Sequence, residues 1–385
     1  MNQVKRLVHW LETHWATPAY SGWLLSGLSV FFFLSATNTL AGWLYVMSGI
    51  GAALLVIAAV LPERNLHRLR VQRHLIEPVS AGDALTIELL LENPTPQSRD
   101  LIQVQDVLPD ALGQPVSHSI ETIAPRSTYR WSYTHPTQRR GIYRWQLVHL
   151  RTAAPLGLFW CRRSRSAKAR AIVYPTVLPL SQCPLIDEMG QDESVQIRSD
   201  RRAQAASEGL TRSLRPYRWG DSTRLIHWRT SARYGELRVR ELETFTGGQE
   251  LVIGLDSATV WQPEDFEQAV IAAASLYFYA YRHNLSAKLW TAGTGLIQGN
   301  QAVLEVLAAI AAAETSQSEL PSAPTIWLTQ NPDSLGALPY KSRWLLWARS
   351  GDASKPTVHR NTSGVLIEPE RSLQVQLQQS LSNSR

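Results

Sequence analysis

No Asp, Glu, Lys or Arg occurs between Glu12 and Glu63, and an uncharged stretch of that length can fold in few ways. It breaks once, at the polar Thr37-Asn38-Thr39, which leaves apolar runs at 18–36 and 40–61. Each is long enough to cross a hydrocarbon core of about 30 Å as a helix. Lipid offers backbone groups no hydrogen-bond partners, so two helices joined by a very short turn are the expected solution. Trp10, Trp15, Tyr20, Trp23 and Trp43 fall at the expected interfaces. The alternatives are a buried hairpin in a soluble core and a cleaved signal peptide. Neither suits two adjoining spans with no polar stripe and no A-x-A site.

Charge at the flanks sets the expected orientation. Lys5 and Arg6 precede the first span, and Arg64, Arg68, Arg70 and Arg73 follow the second, against Glu63 alone. Both ends should therefore lie in the cytoplasm, with a two-span protein in the plasma (inner) membrane. Residues 1–73 form this hairpin with its basic flanks. At 385 residues the chain has room for two or three further units. Two cysteines without CxxC spacing and ten scattered histidines give no support for a disulfide framework or a metal centre. No cofactor is expected.

Residues 74–180 read as a small β-rich domain. The runs 85–89, 102–107, 129–133, 143–150 and 171–174 alternate like strands and are separated by turn signals such as Asn93-Pro94-Thr95-Pro96. An antiparallel β-sandwich is the expectation. From Arg139 to Arg170 there are nine Lys or Arg and no acid. That basic side either faces anionic lipid headgroups or is an ordinary solvated surface.

The segment 181–249 is arginine-rich. Between Arg198 and Arg240 stand eleven Arg, no Lys and four acids, a net of +7 against +6 for the whole chain. Its centre, Arg215 to Arg233, interleaves aromatic residues around a Gly220-Asp221 turn. A short helix is expected over 223–231, capped by Asp221 or Ser222, followed by a strand from Leu237 to Glu241. Three functional readings compete with a structural one. A nucleophilic triad of Ser231, His227 and Asp221 has the residue types but poor spacing for Ser–His pairing. An anion or phosphate site would use Arg215, Arg224, Arg229 and Arg233, whose guanidinium forks suit phosphate. A partner-protein surface would use Arg215, Tyr217, Gly220, Asp221, Arg224, His227, Trp228, Arg229 and Arg233, because Arg, Trp and Tyr dominate interface energetics. In the structural reading, Arg–Asp221 pairs lock the segment down, Trp228 packs in the core, and His227 is a satisfied core histidine.

Residues 250–370 alternate strand and helix. Leu251–Leu255 is a continuous apolar run, as in a buried parallel strand. Pro263–His283 has Pro at its start and Glu264, Asp265 and Glu267 in its first turn, as helices favour. Strands follow at 287–291, 325–329, 344–348 and 365–367, with a helix at 301–313. This argues for a doubly wound α/β sheet. From Glu241 to Glu370 stand fourteen acids and seven bases. A tail follows at 371–385. The fold class is thus α+β multidomain.

Arg215-Pro216-Tyr217, Gly220-Asp221, Arg224, Ile226-His227-Trp228 and Ser231-Ala232-Arg233 resemble the signature of the bacterial family called domain of unknown function fifty-eight. Trp219 stands where many members have Pro, and Ala154 and Leu156 depart from an upstream Asp-Pro-Phe-Gly motif. The resemblance implies an immunoglobulin-like β domain and a reduced von Willebrand factor type A domain. Domains of that type often hold a divalent cation on Asp-x-Ser-x-Ser. Here Asp256 is present, but Ala258 and Val260 replace the serines and Thr329-Gln330-Asn331 replaces Thr-Asp-Gly, so no tight metal site is expected. The resemblance also implies a working relationship with a MoxR-type AAA+ ATPase. A membrane-anchored scaffold or adaptor is the expected function, rather than an enzyme. A membrane-associated anion-binding module or enzyme using the Arg cluster is the alternative, and no nucleic-acid partner is expected.

Overall fold

The computed structural model describes residues 16–189, 211–216, 227–242, 250–347 and 363–379. Lys5, Arg6, Trp10 and Trp15 lie outside the described residues, as do Ala348 and the last residues of the tail. The chain divides into two compact units, Met1–Tyr174 and Pro175–Arg385.

In the first unit a short strand β1 (Ala16–Pro18) leads into helices α1 (Tyr20–Thr39) and α2 (Gly42–Leu66). Both helices are long and apolar enough to span a membrane. Their mutual contact is built from small residues, which let backbones approach. Ser48 Oγ donates to the Ser29 carbonyl at 3.0 Å, and a Cβ on Gly51 would stand 2.1 Å from Ser29 Oγ. The remaining faces expose large apolar side chains such as Phe31, Val46 and Val56.

Beyond α2 the chain builds two antiparallel sheets. The strands are β2 (Arg70–Arg73), β3 (Val79–Ser80), β4 (Ala84–Asn93), β5 (Arg99–Asp106), β6 (Val116–Ile123), β7 (Ser127–Pro136), β8 (Gly141–Thr152) and β9 (Phe159–Tyr174). One sheet runs β1-β9-β8-β5-β6, with the short β3 lying parallel on β9, and the other runs β2-β4-β7. The period-two alternation of β4 buries Leu89 and Leu91 against Ile102, Val104, Val148 and Leu150 of the first sheet. The two sheets therefore pack face to face, and Leu66 and Leu69 at the exit of α2 join the same core.

Arginines of this unit, Arg163 and Arg165 of the basic run among them, have a use that neither sequence reading anticipated. Arg165 donates from Nη2 to the Leu66 carbonyl and from Nε to the Leu69 carbonyl, both at 3.0 Å, and Arg99 Nη1 donates to the Arg64 carbonyl at 2.6 Å. The last carbonyls of a helix lack intrahelical donors and carry partial negative charge, so guanidinium groups satisfy both needs. Burial holds both arginines below their ordinary value, and Arg163 lowers Arg165 further. Arg163 itself pairs with Glu63 at 2.9 Å.

Arg73, counted above among the charges flanking the membrane, is instead buried. Its guanidinium grips Asp106 in bidentate fashion and lies 5.1 Å from the Trp145 ring centroid. Tyr133 Oη and Trp145 Nε1 donate to the two Asp106 oxygens at 2.7 and 3.1 Å. Burial, and then the Asp106 charge, push the Tyr133 phenol upward. Arg64, Arg68 and Arg70 remain as the flanking cations.

The second unit holds β10 (Thr211–Pro216), helix α3 (Trp228–Tyr234), β11 (Arg238–Leu242), β12 (Glu250–Leu255), α4 (Pro263–Arg282), β13 (Ser286–Thr291), β14 (Gly295–Ile297), α5 (Asn300–Ala309), β15 (Thr325–Thr329), a 3-10 turn (Pro332–Ala337), β16 (Arg343–Trp347), β17 (Gly364–Ile367) and α6 (Leu373–Leu377). The main sheet runs β14-β13-β12-β15-β16-β17, parallel except for β14. Strand order reverses at β12, which pairs with β13 on one side and β15 on the other.

The expected doubly wound arrangement is modified. Among the described residues α4, α5 and α6 all pack in the core formed by the Leu251, Ile253 and Leu255 face. The opposite face has a core of Val252, Trp290, Trp327, Trp344 and Leu346, closed in part by Leu335 of the 3-10 turn. Register explains this face. Trp290, Gly254, Trp327, Trp344 and Gly364 stand in one cross-strand row. A Cβ on Gly254 would stand 2.4 Å from the Trp327 ring, and one on Gly364 would stand 2.1 Å from the Trp344 ring. Glycines leave the room that the indoles occupy.

Breaking a buried ion pair by removing one member leaves the other charge uncompensated, at a cost of about 3–5 kcal/mol. Asp106→Ala, which strands Arg73, is expected to destabilise the first unit by that amount. Denaturant unfolding of the detergent-solubilised protein, followed by tryptophan fluorescence, measures it.

Candidate functional site

Two places carry the polar residues that sequence reasoning singled out: the signature segment and the carboxyl edge of the main sheet.

In the signature segment, Tyr217, Gly220, Asp221 and Arg224 lie outside the described residues, and Arg215 is described by its backbone alone. Arg215 sits on β10, opposite Val239 of the antiparallel partner β11. The helix begins at Trp228, later than expected, and its cap is His227. His227 Nδ1 accepts from the Thr230 amide at 3.2 Å and bonds Thr230 Oγ1 at 2.7 Å. Gly235 ends the helix with φ of 70°, a left-handed conformation that suits glycine.

Ser231 Oγ donates to the His227 carbonyl at 3.1 Å and accepts from the Arg238 amide at 2.8 Å. Ser231 therefore stitches α3 to β11, and its hydroxyl is bonded to backbone rather than to an imidazole. The triad reading finds no Ser–His pair here. Trp228 departs from the structural reading: it is 66% exposed and joins no core among the described residues. Arg229 and Arg233 are also exposed, and at a spacing of four residues they share one side of α3.

At the main sheet, Asp256 follows β12 and Thr329 ends β15, so both lie where the strand order reverses. Crevices at such reversals are where open α/β sheets bind ligands. Asp256 is buried, and its Oδ2 accepts from Thr329 Oγ1 at 2.7 Å and from Thr259 Oγ1 at 2.8 Å. Ser257 Oγ accepts from the Ala292 amide at 3.1 Å, which ties the loops after β12 and β13. Alongside, Gln330 Nε2 donates to Asp265 Oδ2 at 2.6 Å while its Oε1 accepts from the Gln262 amide at 2.8 Å. Sequence reasoning did not find the Asp265–Gln330 pair. Its one signal was an acid in the first turn of a helix, which the dipole alone explains.

Burial, first, and Glu264, last, raise the Asp265 carboxyl above its ordinary value, while the Gln330 hydrogen bond opposes the shift. Among the described residues no group of three or more His, Cys, Asp or Glu stands close enough to hold a metal ion. A von Willebrand-type cation would have Asp256 and Thr329 as ligands, but Ala258 and Val260 offer no side-chain oxygen, and Asp256 Oδ2 is occupied by two hydroxyl donors. The residues present do not fit that cation. Both cysteines are buried, and burial pushes the Cys183 thiol up to about 12, which leaves it a poor nucleophile.

A carboxyl whose folded value exceeds its unfolded value binds a proton more readily in the fold. Stability therefore rises as pH falls through the raised value toward the unfolded one, about 4. Asp265→Asn is expected to remove that slope, so thermal melts of variant and parent diverge more at neutral pH than at about pH 4. Titration calorimetry with Mg²⁺ is expected to give no binding heat, and a heat abolished by Asp256→Ala would overturn the assignment of an ion-free edge.

Residues 213–335 match the family model described as "Protein of unknown function DUF58". The chain is 24% identical over 220 residues to the uncharacterized protein YeaD of Bacillus subtilis, an alignment covering 55% of this chain and 53% of that protein. The chain thus spans about half the length of this curated relative. Among solved structures, a CARDB domain from Pyrococcus furiosus is similar at 11% identity, covering 27% of this chain and 93% of that one, with a TM-score of 0.19. A beta-glucosidase from Listeria innocua is similar at 15% identity, covering 25% and 16%, with a TM-score of 0.16. At these scores neither likeness bears on fold or function. The match from 213 to 335 takes in both α3 with its exposed arginines and the Asp256 edge, and over that region the chain belongs to the DUF58 family of unknown function.

Proposed function

We propose that this chain is a membrane-anchored protein-interaction scaffold. In this reading α1 and α2 cross the plasma membrane as a hairpin, with the folded units and both termini on the cytoplasmic side. The flanking Arg64, Arg68 and Arg70 support that orientation. The two face-to-face sheets of the first unit are read as an immunoglobulin-like domain. The parallel sheet with its reversal at β12 is read as a reduced von Willebrand factor type A domain, one whose helices gather on a single face.

The observation that carries the reading is Trp228. Exposing most of an indole to water forgoes the gain of burying it, and Arg229 and Arg233 of the same helix are exposed as well. An exposed Trp on the same short helix as two exposed arginines has the composition of an interface anchor. The partner implied by the family resemblance is a MoxR-type AAA+ ATPase, with a role in assembly or maturation of other complexes. Anionic lipid headgroups are the second proposed partner, through the exposed members of the basic run. The competing reading, an anion or phosphate site, draws on the same exposed Arg229 and Arg233.

Substitution of exposed residues leaves stability within about 0.5 kcal/mol, so loss of binding in these variants reports on the surface. Trp228→Ala, and separately the double change Arg229→Ala with Arg233→Ala, are expected to weaken copurification of the ATPase with the detergent-solubilised full chain by about 10-fold or more, as truncation of an interface anchor does. Unchanged copurification with lost retention on a phosphate resin would favour the anion-site reading and sink this one.

A further inference from the structure

The loop between β8 and β9 is fastened to the first turn of α1. The Ala19 amide donates to the Leu158 carbonyl at 2.8 Å, and Ser21 Oγ donates to the Gly157 carbonyl at 2.9 Å. Pro18 pairs with Phe159 in the β1–β9 ladder. Gly22 has no Cβ for a reason: one would stand 2.2 Å from the Leu158 carbonyl oxygen. Four contacts thus hold the loop beside residues 18–22.

The hairpin sets the depth of those residues. Ser29 faces Ser48 and Gly51. Eight residues from Ser29 toward the start of α1 is Ser21. The same step along α2 reaches positions 56 and 59, within the run Val56-Ile57-Ala58-Ala59-Val60-Leu61. The first charge on α2, Glu63, comes later, and it meets Arg163, four residues along β9 from Phe159. At about 3.3 Å per residue, that places the ion pair roughly 13 Å along the strand from the loop. The loop therefore projects past the charged rim toward apolar helix surface. Its tip is Pro155-Leu156-Gly157, with Leu156 43% exposed, and Arg151 stacks on the neighbouring Trp160 at 4.1 Å from the ring centroid. An apolar tip behind an arginine–tryptophan pair suits the boundary between acyl chains and headgroups.

We infer that the loop Pro155–Leu158 is a membrane-inserted anchor, with Leu156 buried in the acyl-chain boundary of the leaflet that α1 enters. This rests on the reading that α1 and α2 span the bilayer. It assigns to lipid the apolar tip between β8 and β9 rather than the arginines of the basic run.

The test uses the full chain in phosphatidylcholine–phosphatidylglycerol vesicles. Cys161 and Cys183 are buried, so a fluorophore can be directed to Leu156→Cys, with Phe31→Cys as a mid-helix control and Leu75→Cys, 90% exposed, as an aqueous control. The label at 156 is expected to be quenched by lipid spin-labelled near the glycerol and shielded several-fold from aqueous iodide relative to position 75. Quenching at position 31 by lipid spin-labelled deep in the chain, together with iodide access at 156 equal to that at 75, would overturn the anchor and leave the spanning reading standing. Absence of lipid quenching at 31 would bring down the spanning reading and the anchor with it.

Discussion

A helix in apolar surroundings satisfies its own backbone until it ends, and the first unit is organised around where α1 begins and α2 ends. At the exit of α2, carbonyls of Arg64, Leu66 and Leu69 receive guanidinium donors from Arg99 and Arg165. At the entry of α1, the chain passes its backbone hydrogen bonds to β9 through β1. Both devices come from the first sheet, so the same sheet closes the open ends of both helices. The buried Arg73–Asp106 pair, with Tyr133 and Trp145, then links β2 of the second sheet to β5, β7 and β8. A charge is tolerated there because every strong acceptor site on Asp106 has a donor.

The second unit solves a different packing problem. Its helical face is filled by α4, whose Ala269, Ala272, Ala273 and Ala280 let the helix lie close on the sheet. Its other face has no long helix among the described residues, and indoles fill the volume instead. Trp290 and Trp327 lie 5.1 Å apart across Gly254, and their Nε1 atoms bond the Glu319 carbonyl and Ser334. Large rings over glycine fill the layer against the strands whose carboxyl ends hold Asp256 and Thr329. The hydroxyls around Asp256 then act as donors that fix a carboxylate between β12 and β15, a structural duty that leaves little coordination capacity for a cation.

How much of this could be read in the sequence followed from which signals are local. The hairpin was legible because absence of charge is a one-dimensional property. Strands β12, β13 and β15 were legible because fully buried strands are continuous apolar runs. Strand β6 was missed because Val-Ser-His-Ser-Ile-Glu-Thr-Ile presents only three large aliphatics, and the first half of β9 because its outward positions are Arg and Ser. The direction of the helices from the sheet was not legible either, since crossover side depends on how strands are ordered. Arg73 was misread as a flank for a similar reason: its partner, Asp106, is remote in sequence, and only strand pairing brings the two together.

The same distinction bears on the signature segment. Its density of arginine admitted both buried pairing and open display, because charge count carries no information on burial. Among the described residues Trp228 stands on the side of open display, since an indole gains much from burial and here goes without most of it. Here the helix spends Ser231 and His227 on its own scaffold, bonding α3 to β11 and capping its first turn, and leaves Trp228, Arg229 and Arg233 outside. Polar groups turned inward for structure and an aromatic turned outward are the arrangement on which the proposed partner surface rests.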